Sequence, residues 1–154
     1  VILVVCGPPG AGKTTITDRV RQRLTQRDVA VAVHRSDDFS SRTYEQLSAA
    51  VADGPEDAIQ LVDGTFYRRE WQTQFRTLND VRFAHVTATL ETCLDRNRSR
   101  AEPIDEQGVH VIYREFDELD AAIEIDTDDC SVGEAADRIV AALSAWSWID
   151  TARG

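Results

Sequence analysis

Gly7-Pro8-Pro9-Gly10-Ala11-Gly12-Lys13-Thr14-Thr15 gathers glycines, a lysine and two hydroxyls into nine consecutive positions. A backbone with so little side-chain bulk can curl until its N–H groups face a phosphate chain. A helix opening at this point would add the favourable dipole of its N-terminus. In such an arrangement the Lys13 ammonium reaches β- and γ-phosphates, and the Thr14 hydroxyl ligates Mg²⁺. The spacing Gly7-x-x-x-x-Gly12-Lys13-Thr14 is the Walker A pattern, and it follows directly on the apolar run Val1–Cys6. A Gly/Pro turn that merely precedes a helix is the bland alternative. Lys13 is the only lysine in a chain whose other strong bases are all arginine, and its retention here speaks against that alternative. The nine residues read as a nucleoside-triphosphate loop.

Two further groups of residues bear on where the phosphate goes. Arg35-Ser36-Asp37-Asp38-Phe39 follows a second apolar run. A carboxylate there can face the γ-phosphate and take the proton of an attacking hydroxyl. Acidic pairs also cap helices and fill turns, and position alone leaves both readings open. In Cys93-Leu94-Asp95-Arg96-Asn97-Arg98-Ser99-Arg100, a helix would put Arg96 and Arg100 on one face and turn Arg98 elsewhere. Two guanidiniums on one face can neutralise a transferring phosphoryl group. An exposed helix whose arginines pair with neighbouring acids is the competing reading.

Alternating strands and helices must hold these groups. Val1–Cys6, Val29–His34, Ala58–Asp63, Val81–Thr89 and Ala121–Asp126 read as strands from their apolar and β-branched content. Thr14–Gln26, Tyr44–Ala52, Phe66–Leu78, Glu91–Arg100, Val109–Leu119 and Gly133–Trp146 read as helices, the last with Ser131 or a nearby Asp as its cap. Strict alternation implies a parallel sheet, covered on both faces and joined by right-handed crossovers. Chemistry then gathers at the carboxyl ends of the strands, after Cys6, His34, Asp63 and Asp126. Trp71 shares helical spacing with Phe75, and Trp146 and Trp148 sit at the last helix. All three read as packing residues, with the terminal tryptophans also available for a homodimer.

With these motifs on the page, the chain resembles small P-loop kinases that phosphorylate hydroxyls. It is most similar to the 5′-polynucleotide kinase and seryl-tRNA kinase branch. Carrying the likeness are GPPGAGKTT, the Asp pair after strand two, VDGTFYRREWQ after strand three, CLDRNRSR and Pro103-Ile104. Ile125-Asp126-Thr127-Asp128-Asp129 ahead of the last helix is similar to adenylylsulfate kinases. The resemblance implies an α/β, three-layer α/β/α sandwich with a five-stranded parallel sheet in the order 2-3-1-4-5. It implies a short helical lid at about residues 91–119. Asp37 becomes the general base and Asp38 its neighbour in the acceptor pocket. Arg96 and Arg100 become lid arginines over ATP and the moving phosphoryl group. Asp63 lies by Mg²⁺ and acceptor, with Tyr67 and Arg68 on the acceptor side.

Composition narrows the classes. The 154 residues are expected to form one domain, residues 1–154, with 42% hydrophobic content and no apolar run long enough for a membrane span. Three scattered cysteines fit a reducing cytoplasm. A net charge of -10 disfavours stable duplex nucleic-acid binding, which draws on Lys/Arg contacts to phosphate. It also fits a salt-adapted, halophilic surface. The leading expectation is an ATP·Mg²⁺-dependent kinase acting on a small-molecule or nucleic-acid-end hydroxyl. A regulatory nucleotide-binding protein is the alternative of another class, but neither a water-orienting Gln nor a switch motif is found.

Overall fold

A computed structural model describes residues 1–150. Five strands, β1 (Ile2–Cys6), β2 (Val31–Arg35), β3 (Ile59–Asp63), β4 (Val81–Thr87) and β5 (Ile123–Asp126), form one parallel sheet in the order β2-β3-β1-β4-β5. Six helices connect and cover them: α1 (Lys13–Gln26), α2 (Thr43–Ala52), α3 (Arg69–Arg76), α4 (Leu90–Arg98), α5 (Glu106–Arg114) and α6 (Val132–Ala145). This is the expected order and layering.

The central strand shows why three layers form. Successive side chains of a strand point to opposite faces. In β1, Leu3 and Val5 join a core with Ile16, Val20 and Leu24 of α1 and Ile139 and Leu143 of α6. Ile2, Val4 and Cys6 instead meet Tyr44, Leu47 and Val51 of α2 and Phe75 of α3. Every residue of β1 and β3 is buried, so a continuous apolar run is what the two-sided cover requires. Edge strand β2 is only half-buried throughout.

Register brings the chemistry to one rim. Asp63 lies level with Val5 of β1 and with Arg35 of β2, and Thr87 is level with Asp126. The loops leaving β1, β2, β3 and β5 therefore rise from the same edge, where the chain order reverses and a crevice opens.

The segment expected to form a lid departs from its expected boundaries. Its second helix is Glu106–Arg114, not Val109–Leu119. Asp105 caps the start through its side chain, which accepts from the Gln107 N–H. Beyond Arg114 the apolar residues pack without helix: Phe116 stacks on His85, and Leu119 packs on the α2/α3 core. The expected helix Phe66–Leu78 is also shorter, because Phe66 adopts a positive φ of 52° and is buried among Tyr44, Phe75 and Phe83. Asp117 occupies the start of α3 instead, its carboxylate accepting from the Arg69 N–H at 2.7 Å. No helix among the described residues is long and apolar enough to cross a membrane.

Candidate active site

The loop of residues 7–15 sits on the rim between β1 and α1, and its glycines are required by their surroundings. A Cβ on Gly7 would collide with the Val86 carbonyl, and one on Gly10 with the backbone of Cys93 in α4. Gly12 caps α1 in the left-handed region at φ 104°, so that α1 begins at Lys13 with its N-terminus toward the crevice.

Lys13 is the chemical centre of the loop. Its ammonium donates to the Pro8 carbonyl at 3.0 Å, and only 9% of the residue is exposed. Burial pushes this group below its ordinary pKa of 10.5, against the pull of Asp63, Cys6 and Asp37. The Thr14 hydroxyl donates to Asp63 Oδ2 at 2.8 Å. Arg35 reaches the same oxygen at 3.2 Å and pairs with Asp18 on its other side. Asp63 is thus buried beneath Thr14, at the end of β3.

A cavity of about 420 Å³ opens above the loop, lined by Gly10, Gly12, Lys13, Thr14, Thr15, Asp37, Arg96 and Arg100. Next to it is a second cleft of about 750 Å³, walled by the turn after β2 and by α2 and α3. Asp37 lines both, from a single 3-10 turn (Ser36–Asp38) that the Phe39 N–H closes on the Ser36 carbonyl. Its partner Asp38, exposed like Asp37, lines neither, so the turn separates the two carboxylates that adjoin in sequence.

The two arginines differ in their commitments. Arg96 Nη1 donates to the carbonyls of Gly10 (3.3 Å) and Ala11 (3.0 Å) and to Thr127 Oγ1 (2.8 Å), gripping the loop from behind. Helix α4 ends at Arg98, so Arg100 is not on its face as the spacing implied, yet it still lines the cavity. Its guanidinium has no protein partner among the described residues. Arg98 turns away to Asp95 and Glu106, as expected.

Tyr67 and Arg68 line neither cavity. Arg68 lies over the Tyr67 ring at 5.1 Å, and Tyr67 meets Trp71 edge-on. The aromatics that line the second cleft are Phe39, Tyr44 and Trp71, the last stacked on Tyr44 at 4.1 Å and 10°. Helical spacing with Phe75 marked Trp71 as packing, and nothing in the sequence marked Tyr44. Their meeting is a contact between α2 and α3 that no local pattern encodes. Thr127 carries no signal of its own in the sequence beyond its place in the run Ile125–Asp129. Its hydroxyl donates to the Ala11 carbonyl at 2.8 Å and ties the loop after β5 to the phosphate loop.

Comparison with known proteins agrees with this fold. A family model described as "AAA domain" (AAA_33) matches residues 2–124. No curated protein matches the chain. Among solved structures, Kti12 of Chaetomium thermophilum in complex with ADP-AlF3 is similar at 17% identity and a TM-score of 0.73, with 92% of this chain and 98% of that one covered. The APS kinase CysC of Mycobacterium tuberculosis, in complex with AMPPNP and APS, is similar at 16% identity and a TM-score of 0.73, covering 93% and 96%. Shikimate kinase of Acinetobacter baumannii in complex with shikimate follows at 17% and 0.63, covering 94% and 93%. At such identities the likeness is one of fold.

Proposed function

The chain belongs to the AAA_33 family of P-loop, kinase-like domains, and on that premise we propose that it moves the γ-phosphoryl group of ATP to a hydroxyl acceptor. The observation that carries this reading is the position of Asp37, shared between the phosphate-loop cavity and the adjoining cleft. ATP occupies the first and the acceptor the second, so the acceptor hydroxyl meets the γ-phosphorus beside a carboxylate.

The acceptor oxygen forms a bond to the γ-phosphorus as the bond from that phosphorus to the β-γ bridging oxygen breaks. ADP leaves with the electron pair, and the hydroxyl proton passes to Asp37. Lys13 exchanges the Pro8 carbonyl for phosphate oxygens, and the loop amides hold the leaving phosphates. Arg100, unpaired at the cavity wall, supplies positive charge to the transferred group. Arg96 holds the loop in shape and must release its carbonyls before it can reach a phosphate.

Thr14 and Asp63 suit Mg²⁺. Both offer hard oxygen donors within 2.8 Å of each other, and such an ion commonly takes one or two protein oxygens and completes its shell with phosphates and water. When bound, the ion would neutralise charge on the β- and γ-phosphates.

Asp37→Asn tests the reading. It is expected to lower kcat by about 10²-fold or more, the usual worth of a positioned base. ATP affinity, followed by nucleotide titration, should stay nearly unchanged. Equal loss of turnover and ATP affinity would remove Asp37 from the role of base. Lys13→Ala should damage both together.

A further inference from the structure

We propose, resting on the kinase reading above, that the acceptor is a polyhydroxyl compound that is uncharged or carries an amine, with no phosphate, sulfate or carboxylate of its own. The charge inventory of the cleft beside Asp37 carries this. Three carboxylates line it, Asp37, Glu45 and Glu70, against one cation, Arg42. Arg42 is already spent: its Nε and Nη2 both donate to Glu45 Oε2, at 2.8 and 2.5 Å.

Other nearby bases are committed elsewhere. Lys13 and Arg100 line the phosphate cavity. Arg35 is held between Asp18 and Asp63, and Arg68, which does not line the cleft, lies over Tyr67 at 5.1 Å and over Trp71 at 5.9 Å. An anionic acceptor would therefore give up hydration and face Asp37 and Glu70, while the cations that couple to them, Lys13 and Arg68, do not line the cleft. Hydroxyl and ammonium groups are the natural complement, because ionised carboxylates only accept hydrogen bonds.

The remaining walls fit the same class. Trp71 lies flat on Tyr44, whose hydroxyl is fixed by Thr65 Oγ1 at 3.0 Å and by the Phe66 N–H at 3.1 Å. This backs Trp71 with a rigid partner and offers aromatic surface to the C–H face of a ring. Gln74 adds an amide with both donor and acceptor capacity. An oligonucleotide 5′ end brings its own phosphates to the cleft, on a chain of net charge -10, and is disfavoured on the same grounds.

Acceptor pairs that differ in charge test the class: glucitol against gluconate, glucosamine against glucuronate, and uridine against uridine 3′-monophosphate. Each is measured twice on the whole chain. One reading is acceptor-dependent ADP release with ATP. The other is quenching of tryptophan fluorescence in the presence of a non-hydrolysable ATP analogue, with Trp71→Phe as the blank. In at least one pair the uncharged or amine member is expected to bind and turn over better, by about tenfold or more. Glu70→Gln should narrow that gap by admitting the anion. Equal or better use of the anionic members overturns the proposal, as does silence of both members in every pair. Binding of the uncharged members without acceptor-dependent ADP release upholds the class and removes the kinase reading instead.

Discussion

Lys13 carries its charge into the protein interior, and its neighbour Cys6 carries a thiol there with the opposite consequence for alkaline pH. Burial lowers the pKa of the Lys13 ammonium, so the unfolded chain binds its proton more tightly. Stability from this group therefore rises with pH as the folded value is passed and 10.5 is approached. Lys13→Met is expected to raise the melting temperature of the nucleotide-free protein while abolishing ATP binding, a stability cost of the kind functional sites carry. For Cys6, burial pushes the pKa from 9.0 up to about 12, so its contribution is complete below 9.0 and is lost as pH climbs toward 12. At pH 10 that loss is on the order of 1 kcal/mol. Urea midpoints should show Cys6→Val gaining on the wild type between pH 8 and pH 10; a gap that does not move with pH would contradict this. At this scale the phosphate loop was legible because its chemistry is written in consecutive residues. Asp37 and Asp38 were legible as a pair but not as individuals. Only the closed turn decides which of them lines the cavities.

Helix boundaries follow caps more than apolar periodicity, and the lid segment illustrates it. Ile112, Phe116 and Leu119 continue a helical rhythm in the sequence, yet the helix stops at Arg114 and the later two pack as loop. Its start is set by the Asp105 cap, as the start of α6 is by Ser131, one of the caps the sequence offers there, in a capping box with Glu134. Strands were read to within about two residues because a parallel sheet covered on both faces demands apolar runs. Asp117 is the residue through which the lid exit meets the acceptor wall. Its carboxylate caps α3, and its N–H donates to the Tyr67 carbonyl at 2.8 Å. Asp117→Ala should cost about 1 kcal/mol in chemical denaturation, the usual worth of a lost cap. Because α3 also presents Trp71 and Glu70, the acceptor KM should rise more than the ATP KM.

Over the whole molecule, 27 acidic residues face 17 lysines and arginines. Their mutual repulsion opposes the compact state and is screened as salt is added. The melting temperature is expected to be higher in molar KCl than in dilute buffer; the reverse order would remove salt adaptation as the reason for this composition. The layered architecture was legible from alternation. The bracing that joins its parts was not, since it links residues nearly the whole chain apart. Arg96 and Thr127 hold the carbonyls of Gly10 and Ala11 from outside, and α4 presses its backbone where Gly10 has no side chain. A cradle propped by its neighbours does not have to be assembled by its guest. On the kinase reading proposed above, incoming triphosphate would meet a concavity already shaped, with little of its binding free energy diverted into ordering the peptide around it.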